Sequence, residues 1–481
     1  MDDRQKVFLA AIFLLLLAGA LRFYDLGKWP YAGDEFATLI EERVLFHGQP
    51  EPHGSPTYRL PHAIPLGYLT IHVSHTLFGD SEGGTRVVGA LLGSLTVVLV
   101  FILLDGPLSR TTAVVTALLL ALMPAHVFFS QETRFYITAS MFSYLALSAG
   151  ARIPGPRGTR YAVLACCLGF LAALSHSLLV LLLPLIVVAT YGAFHAEGRS
   201  VPRATWLVFG SAAAATALLA VFYLRPLLQG WNGGETWGYS VAHASVAMIG
   251  QLGWPIASLA AVGGLLMLRE RTAQSWYWLV CVGGWVIVSM VLPVAVTYHS
   301  AYGFTFALSG FVVAAHAITY ISDRLKQRSW LAAYVWIGLS CLGNLTSLFS
   351  HYLDGTRMNV RDAAAYVRAH WQAGDRVTGY EMGAFNHYSG GCCKPAIPLP
   401  DTNEVPNLTR LASAGGRLWV VLGEKRQGLD ARLQDWLFAC SVHKLSVGRH
   451  RLDWQQFKED VYLVPAQEID HECLLRPDSP G

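Results

Sequence analysis

Charged residues are scarce in this chain. Only 14% of its 481 residues are Asp, Glu, Lys or Arg, where a soluble protein would carry about 25%. That shortage argues against a soluble enzyme. The balance is close to neutral, at +3 with histidine uncharged, so no charge excess points to a nucleic-acid partner. There are eight cysteines, but no CxxC pair and no metal-ligand spacing among them. The sequence also lacks a P-loop, a GxGxxG run, an internal repeat and a low-complexity tract. Hydrophobic residues fill the chain instead, 53% of the total, in recurring runs of about 20. This is the pattern of a polytopic membrane protein. Cys166, Cys167, Cys281 and Cys341 fall in such runs and read as packing residues.

Eleven spans are expected, near 7–23, 86–104, 111–128, 135–151, 161–176, 177–194, 204–224, 250–268, 276–297, 302–321 and 330–350. The first resembles a secretory signal, with Arg4 and Lys6 before an apolar stretch that ends at Ala18-Gly19-Ala20. The many later spans favour a retained helix. Residues 63–78 are apolar but short, and hold Pro65, His72 and His75. Charge decides their placement. If 63–78 does not cross, 13 Lys and Arg residues between Arg4 and Arg328 share the short loops of one side, which the positive-inside rule assigns to the cytoplasm. If it does cross, eleven of the 13 move outside. The segment is therefore expected as a juxtamembrane or re-entrant helix on the outer surface. The loop 24–85, the segment around Arg134, the loop 225–249 and the C-terminal tail then lie outside.

The tail, 351–481, is richly charged. Asn359 can cap a helix through Trp371, Arg376–Tyr380 and Arg417–Leu422 read as strands, and Gly428–Phe438 as a helix. Alternating signals of this kind predict a small α/β domain. The expected organisation is a helical membrane domain, 1–350, followed by an extracytoplasmic α/β domain, 351–481. An oxidising compartment would permit a disulfide among Cys392, Cys393, Cys440 and Cys473, with the pairing open.

Polar residues gather at the outer ends of the spans. Asp34 and Glu35 follow Trp29-Pro30 and Gly33 in the loop after the first helix. Carboxylates at a membrane surface are costly to desolvate and belong beside water or a cation. Arg86 begins a span, in Gly79-Asp80-Ser81-Glu82-Gly83-Gly84-Thr85-Arg86. Ser130-Gln131-Glu132-Thr133-Arg134-Phe135-Tyr136 joins two spans, and His176 lies near the end of another. Taken in this order, with Pro65-Leu66-Gly67-Tyr68 between the first two, these motifs resemble the GT-C superfamily of membrane glycosyltransferases. Within it they are similar to family 39/83, the dolichyl-phosphate-mannose protein mannosyltransferase-like and lipid A aminoarabinose transferase-like enzymes. The resemblance is strongest over residues 7–195. It implies an α-helical polytopic GT-C fold of about eleven transmembrane helices, with outer juxtamembrane helices and a small C-terminal α/β domain. It also implies transfer of a sugar from a polyprenyl-phosphate-linked donor to a hydroxyl of a lipid, polysaccharide or protein acceptor.

On that resemblance Asp34 matches the family's loop aspartate and is expected as general base, since an acceptor hydroxyl is a weak nucleophile. Glu35 is expected either to position the acceptor or, with Asp34, to ligate a divalent cation. The leaving group is an anionic lipid phosphate. Arg134 is the first candidate to hold it, with Arg86, Arg59 and His62 assisting, because the arginine fork can bind phosphate oxygens in pairs. Glu132, Tyr136 and His176 are expected on the substrate side. Two features depart from the family. Arg59 and His62 are out of register with its basic residue before the Pro-Leu-Tyr stretch, and Tyr298-His299-Ser300-Ala301-Tyr302 lacks the arginine that relatives carry at a late outer helix start.

Each residue also has an ordinary reading. Asp34 and Glu35 can be solvated loop acids, Arg134 can snorkel toward headgroups or pair with Glu132, Arg86 can anchor a helix end, and His176 can be a packing histidine. His72 and His75 are i,i+3 neighbours on a helix, with no further metal ligand evident nearby in sequence. Two rival functions are a lipid or polysaccharide transporter or flippase, which should place charge within the bundle and often shows repeats, and a non-enzymatic scaffold.

Overall fold

The computed structural model of the chain describes residues 2–31, 33–48, 65–219, 221, 241–291, 300–354, 359–380, 382–394, 396–399, 404–423, 431–447 and 459–465. Helix is found in each of the eleven expected spans among the described residues. Among the described residues, six stretches are long and apolar enough to cross a membrane alone: Asp3–Phe23, Glu82–Leu104, Gly158–Ser175, Ser177–Ala196, Ala273–Val291 and Trp330–Leu353. Two bent pairs, Arg110–Ala121 with Pro124–Ser130 and Ala244–Leu252 with Trp254–Glu270, bring the number to eight if each is one span. The chain is thus an integral membrane protein. Expected spans 135–151, 204–224 and 302–321 carry the shorter or more polar helices Tyr136–Gly150, Arg203–Leu219 and Leu308–Lys326. Eleven is therefore a number of helical segments rather than of established crossings.

The chain divides into two compact units, Met1–Leu26 with Glu41–Phe349, and Gly27–Ile40 with Ser350–Gly481. The first unit opens with α1 (Asp3–Phe23), whose start is fixed by a capping box between Asp2 and Gln5. α2 (Gly33–His47), whose residues up to Ile40 belong to the second unit, and α3 (Pro65–Phe78) follow, then α4 (Glu82–Leu104), α5 (Arg110–Ala121), α6 (Pro124–Ser130), α7 (Tyr136–Gly150) and α8 (Gly158–Ser175). The helix expected within 63–78 is α3. The stretch that holds Asp34 and Glu35 is helical too, where the sequence suggests only a hydrophilic loop. The buried positions of α2 are Glu35, Thr38, Leu39 and Glu42, a helical stripe at i, i+3, i+4 and i+7 in which only Leu39 is apolar. Polar residues on the buried face hide the period that would reveal a helix.

The turn between α3 and α4 explains its own motif. Gly79 sits at φ +87°, a conformation that favours glycine. Ser81 then caps α4 by accepting from the Gly84 N–H at 3.1 Å. Between α5 and α6 the chain bends by 59°. Pro124 opens α6, and Arg22 of α1, fully buried, answers the carbonyls that the break releases. Its Nη1 donates to Ala121 O at 3.3 Å and to Ala18 O at 3.1 Å, its Nη2 donates to Leu120 O at 3.4 Å, and Nη2 lies 2.8 Å from His126 Nδ1. A core that includes Phe101, Tyr144, Trp278, Phe304 and Phe311 surrounds this junction.

In the second unit five strands form one sheet in the order β2-β1-β3-β5-β4: β1 (Arg376–Gly379), β2 (Ala396–Pro398), β3 (Leu418–Gly423), β4 (Val442–Val447) and β5 (Glu459–Val464). β1 pairs in parallel with β2 and β3, while β5 runs antiparallel to both β3 and β4. β3 is buried along its whole length, because Trp419 and Val421 face one apolar cluster and Leu418, Val420 and Leu422 another. That is why it reads Leu-Trp-Val-Val-Leu without alternation. Asn359 does cap a helix, Val360–His370, by accepting from Asp362 N, and the helix sought over 428–438 is described as Ala431–Cys440. Cys440 is disulfide-bonded, whereas Cys392 and Cys393 are free thiols.

Candidate functional site

Asp34 and Glu35 occupy the first turn of α2, where the helix dipole favours acidic side chains. Asp34 is exposed and Glu35 fully buried. Adjacent helical positions point in different directions, so the two carboxylates do not share one surroundings. The segment they belong to packs within the second unit. Tyr31 N donates to the Tyr388 hydroxyl at 2.6 Å, and Arg361 Nη2 donates to Lys28 O at 2.8 Å. The Phe36 ring lies 5.5 Å from that of His387 and joins the apolar cluster around Phe385, Val377 and Trp419. The α/β unit therefore holds the acidic segment, a role that nothing in the tail's own sequence announces.

Arg134 lies in the short turn before α7. Its guanidinium sits 5.1 Å from the ring centres of both Phe135 and Tyr136, and Nη2 donates to the Tyr136 hydroxyl at 2.9 Å. The residue is half-buried. Around Tyr136 stand His176 at 5.9 Å and Tyr302 at 5.5 Å between ring centres, with His176 and Tyr302 5.2 Å apart. His176 Nδ1 accepts from Leu178 N at 3.2 Å, which leaves the proton of a neutral ring on Nε2. His176, distant in sequence, thus joins Arg134 and Tyr136 in one aromatic cluster.

The remaining expected site residues fall in different places. Glu132 is buried, at 8% exposure, in the same turn. Arg86 is 1% exposed, and its Nη1 donates to Leu26 O at 3.3 Å, just past the end of α1. That burial suits anchoring the segment that leaves α1. Arg59 and His62 lie outside the described residues. Two contributors were not singled out from sequence. Gln131 Nε2 donates to the carbonyls of Arg22 at 3.1 Å and Tyr24 at 2.9 Å, so the glutamine of the Ser-Gln-Glu motif secures the end of α1. Tyr302 enters the aromatic cluster from a segment judged at first only by its missing arginine.

The Pro-Leu-Gly-Tyr motif adjoins this cluster. Pro65 opens α3, where its lack of an N–H costs nothing. A Cβ on Gly67 would come within 2.6 Å of Phe135 Cβ and 3.1 Å of Ser175 O, so glycine lets α3 approach the turn that carries Arg134. Tyr68 is fully buried and donates its hydroxyl to Glu41.

Residues 61–223 match the family described as dolichyl-phosphate-mannose-protein mannosyltransferase. Among solved structures, ArnT from Cupriavidus metallidurans in the apo state covers 94% of this chain and 97% of its own, with a TM-score of 0.60 at 14% identity. The chain shares the fold of ArnT. ArnT from the same organism bound to undecaprenyl phosphate aligns over 100% of both chains, with a TM-score of 0.59 at 14% identity. The archaeal oligosaccharyltransferase AglB from Archaeoglobus fulgidus, in complex with an inhibitory peptide and a dolichol-phosphate, shares the fold over 88% of this chain and 70% of its own, with a TM-score of 0.56 at 14% identity. No curated protein matches the chain. The family match takes in Arg86, Glu132, Arg134, Tyr136 and His176, and begins after Asp34 and Glu35.

Proposed function

We propose that this protein moves a sugar from a polyprenyl-phosphate-linked donor to an acceptor hydroxyl at the outer face of a prokaryotic inner membrane. The N-terminus is then cytoplasmic and the α/β unit extracytoplasmic. The observation that carries the reading is the Arg134 guanidinium, half-buried against two aromatic faces beside the Tyr136 hydroxyl. A planar cation held in this way keeps its fork oriented for phosphate oxygens.

In the proposed reaction Asp34 takes the proton of the acceptor hydroxyl as that oxygen attacks the anomeric carbon. The bond from the anomeric carbon to the phosphate oxygen breaks, and its electron pair leaves on the lipid phosphate. Arg134 offsets the charge that grows there. Attack opposite the leaving group inverts the anomeric centre. Glu35, buried one residue on, orients the turn that presents Asp34. Arg86 holds the same stretch of chain through the Leu26 carbonyl, and His176 and Tyr136 line the sugar side. Arg59 and His62 are assigned a supporting contact to the donor.

Native mass spectrometry of the wild type and of Asp34→Asn tests the reading. The wild type should co-purify with a polyprenyl phosphate, and the variant with the same lipid still carrying its sugar, whose mass names the donor. If both carry only bulk phospholipid, even after polyprenyl phosphate is supplied, the donor class is wrong. If lipid is bound but its sugar is turned over equally in both, Asp34 is not the base.

A further inference from the structure

A second polar cluster lies away from the acidic pair, on the last turns of α2 and along α3, within the first compact unit. Its centre is Glu42, which is completely buried. Glu42 Oε1 lies 2.7 Å from His72 Nδ1 and 3.4 Å from His47 Nε2, and Oε2 lies 3.0 Å from His75 Nδ1. One ligand atom from each of Glu42, His47 and His75 falls within 4.8 Å of the others. His75 turns its second nitrogen, Nε2, to the Asp80 carboxylate, and the Phe46 ring stacks on His72 at 4.2 Å.

The chemistry of His75 raises a question of what stands between it and Glu42. A hydrogen bond from Nε2–H to Asp80 leaves Nδ1 with a lone pair aimed at a carboxylate oxygen 3.0 Å away. Two acceptors at that distance repel unless a cation joins them, either a second proton or a metal ion. An imidazole backed by a carboxylate on its far nitrogen is also the arrangement that orients metal-binding histidines. The donors are mixed imidazole nitrogen and carboxylate oxygen, which suits zinc at about 2.0–2.2 Å. Calcium and magnesium would call for a shell of oxygens.

We propose that Glu42, His47 and His75, joined by His72, bind a single zinc-class divalent ion, with Asp80 as the positioning residue for His75. Exposure rises from Glu42 at 0% through His75 at 14% and His72 at 24% to His47 at 43%, which gives the ion a buried anchor and an open side. The ion clamps the end of α2 to α3. Its role is independent of the proposed transfer reaction.

The test uses the full-length protein in detergent, without a histidine tag, stripped with a chelator and titrated with zinc chloride. Calorimetry and elemental analysis should find one zinc per chain, and cobalt in its place should give a tetrahedral absorption band. His75→Ala and His47→Ala should abolish the band, and Asp80→Asn should weaken zinc binding by about 10- to 100-fold. Because Glu42→Gln alters a buried position and can unfold the protein, His47→Ala on the open side is the decisive variant. It should keep the thermal stability of the metal-free wild type and lose the zinc. If the wild type takes up no zinc, or if His47→Ala and His75→Ala bind it as well as the wild type does, the cluster is a proton-bridged network and the proposal fails.

Discussion

Replacing Arg134 gives the sharpest test of phosphate recognition, because it needs neither the sugar nor the acceptor. A hydrogen bond to a charged partner contributes about 1.5–3 kcal/mol, and Arg134 is only half-buried. Losing the guanidinium should therefore cost roughly 2–4 kcal/mol, or about 30- to 700-fold in affinity for polyprenyl phosphate. Arg134→Lys keeps the charge but loses the planar fork and the stacking on Phe135 and Tyr136, worth about 0.5–2 kcal/mol. Its loss should be smaller, about 2- to 30-fold. Tyr136→Phe removes the hydroxyl that receives Nη2 at 2.9 Å and should cost about 1 kcal/mol, a 5-fold effect. Titration with polyprenyl phosphate under native mass spectrometry would rank the three. If Arg134→Ala binds within about 2-fold of wild type, or if Arg134→Lys is as damaged as Arg134→Ala, the guanidinium is not the phosphate ligand in the manner argued.

Three further outcomes follow from the packing. Phe36→Ala should loosen the acidic segment from the α/β unit at a stability cost of roughly 1–2 kcal/mol, since the ring is half-buried. It should reduce transfer by about 100-fold through misplacement of Asp34 while leaving polyprenyl phosphate binding intact; equal loss of both would refute that separation. Gly67→Ala places a Cβ 2.6 Å from Phe135 Cβ, so it should destabilise the protein by about 1–3 kcal/mol and weaken donor binding, read by thermal unfolding and lipid titration. Asp375 gives a pH prediction for the α/β unit. Burial works against its carboxylate, but hydrogen bonds from Arg417, Trp419 and Gln372 N outweigh burial and hold its pKa below the usual value. The stabilisation is present above the unfolded carboxylate pKa, about 3.9, and is lost as pH falls through the lower folded value. Unfolding monitored between about pH 6 and pH 2 should show this acid-dependent loss in the wild type and less of it in Asp375→Asn.

The membrane character and the positions of the helical segments were legible because long apolar runs need no tertiary context. β3 was legible for the same reason, as a short apolar run between polar turns. β4 was not, since its residues stay largely exposed and Val442–Val447 pairs only with β5. α2 was hidden by the glutamates on its buried face. The grouping of Gly27–Ile40 with the C-terminal unit depends on Tyr388, His387 and Arg361, more than 300 positions away, and no local pattern carries that information. The same holds for Glu42 and His47. In sequence Glu42 stands 30 and 33 residues before His72 and His75, and the pairing of α2 with α3 brings them together.

An arginine near the membrane interior is by default a functional candidate, and this chain shows how the default should be refined. Arg22 and Arg86 are both almost completely buried, yet each donates to main-chain carbonyls at a helix end or break. Gln131 does the same at the end of α1. Such carbonyls have no helical partner and in a bilayer would cost several kcal/mol each if left unmet. These side chains therefore hold helix ends and a helix break in place. The Arg134 guanidinium faces two ring surfaces and a phenol, which orient the fork. The motif Ser-Gln-Glu-Thr-Arg thus sets a scaffold contact and the proposed phosphate ligand in one short turn. Gln131 fixes the scaffold, and Arg134, three residues later, is presented from it. A substitution at Gln131 should consequently reduce stability and donor binding together, whereas Arg134→Ala should reduce donor binding with the fold intact.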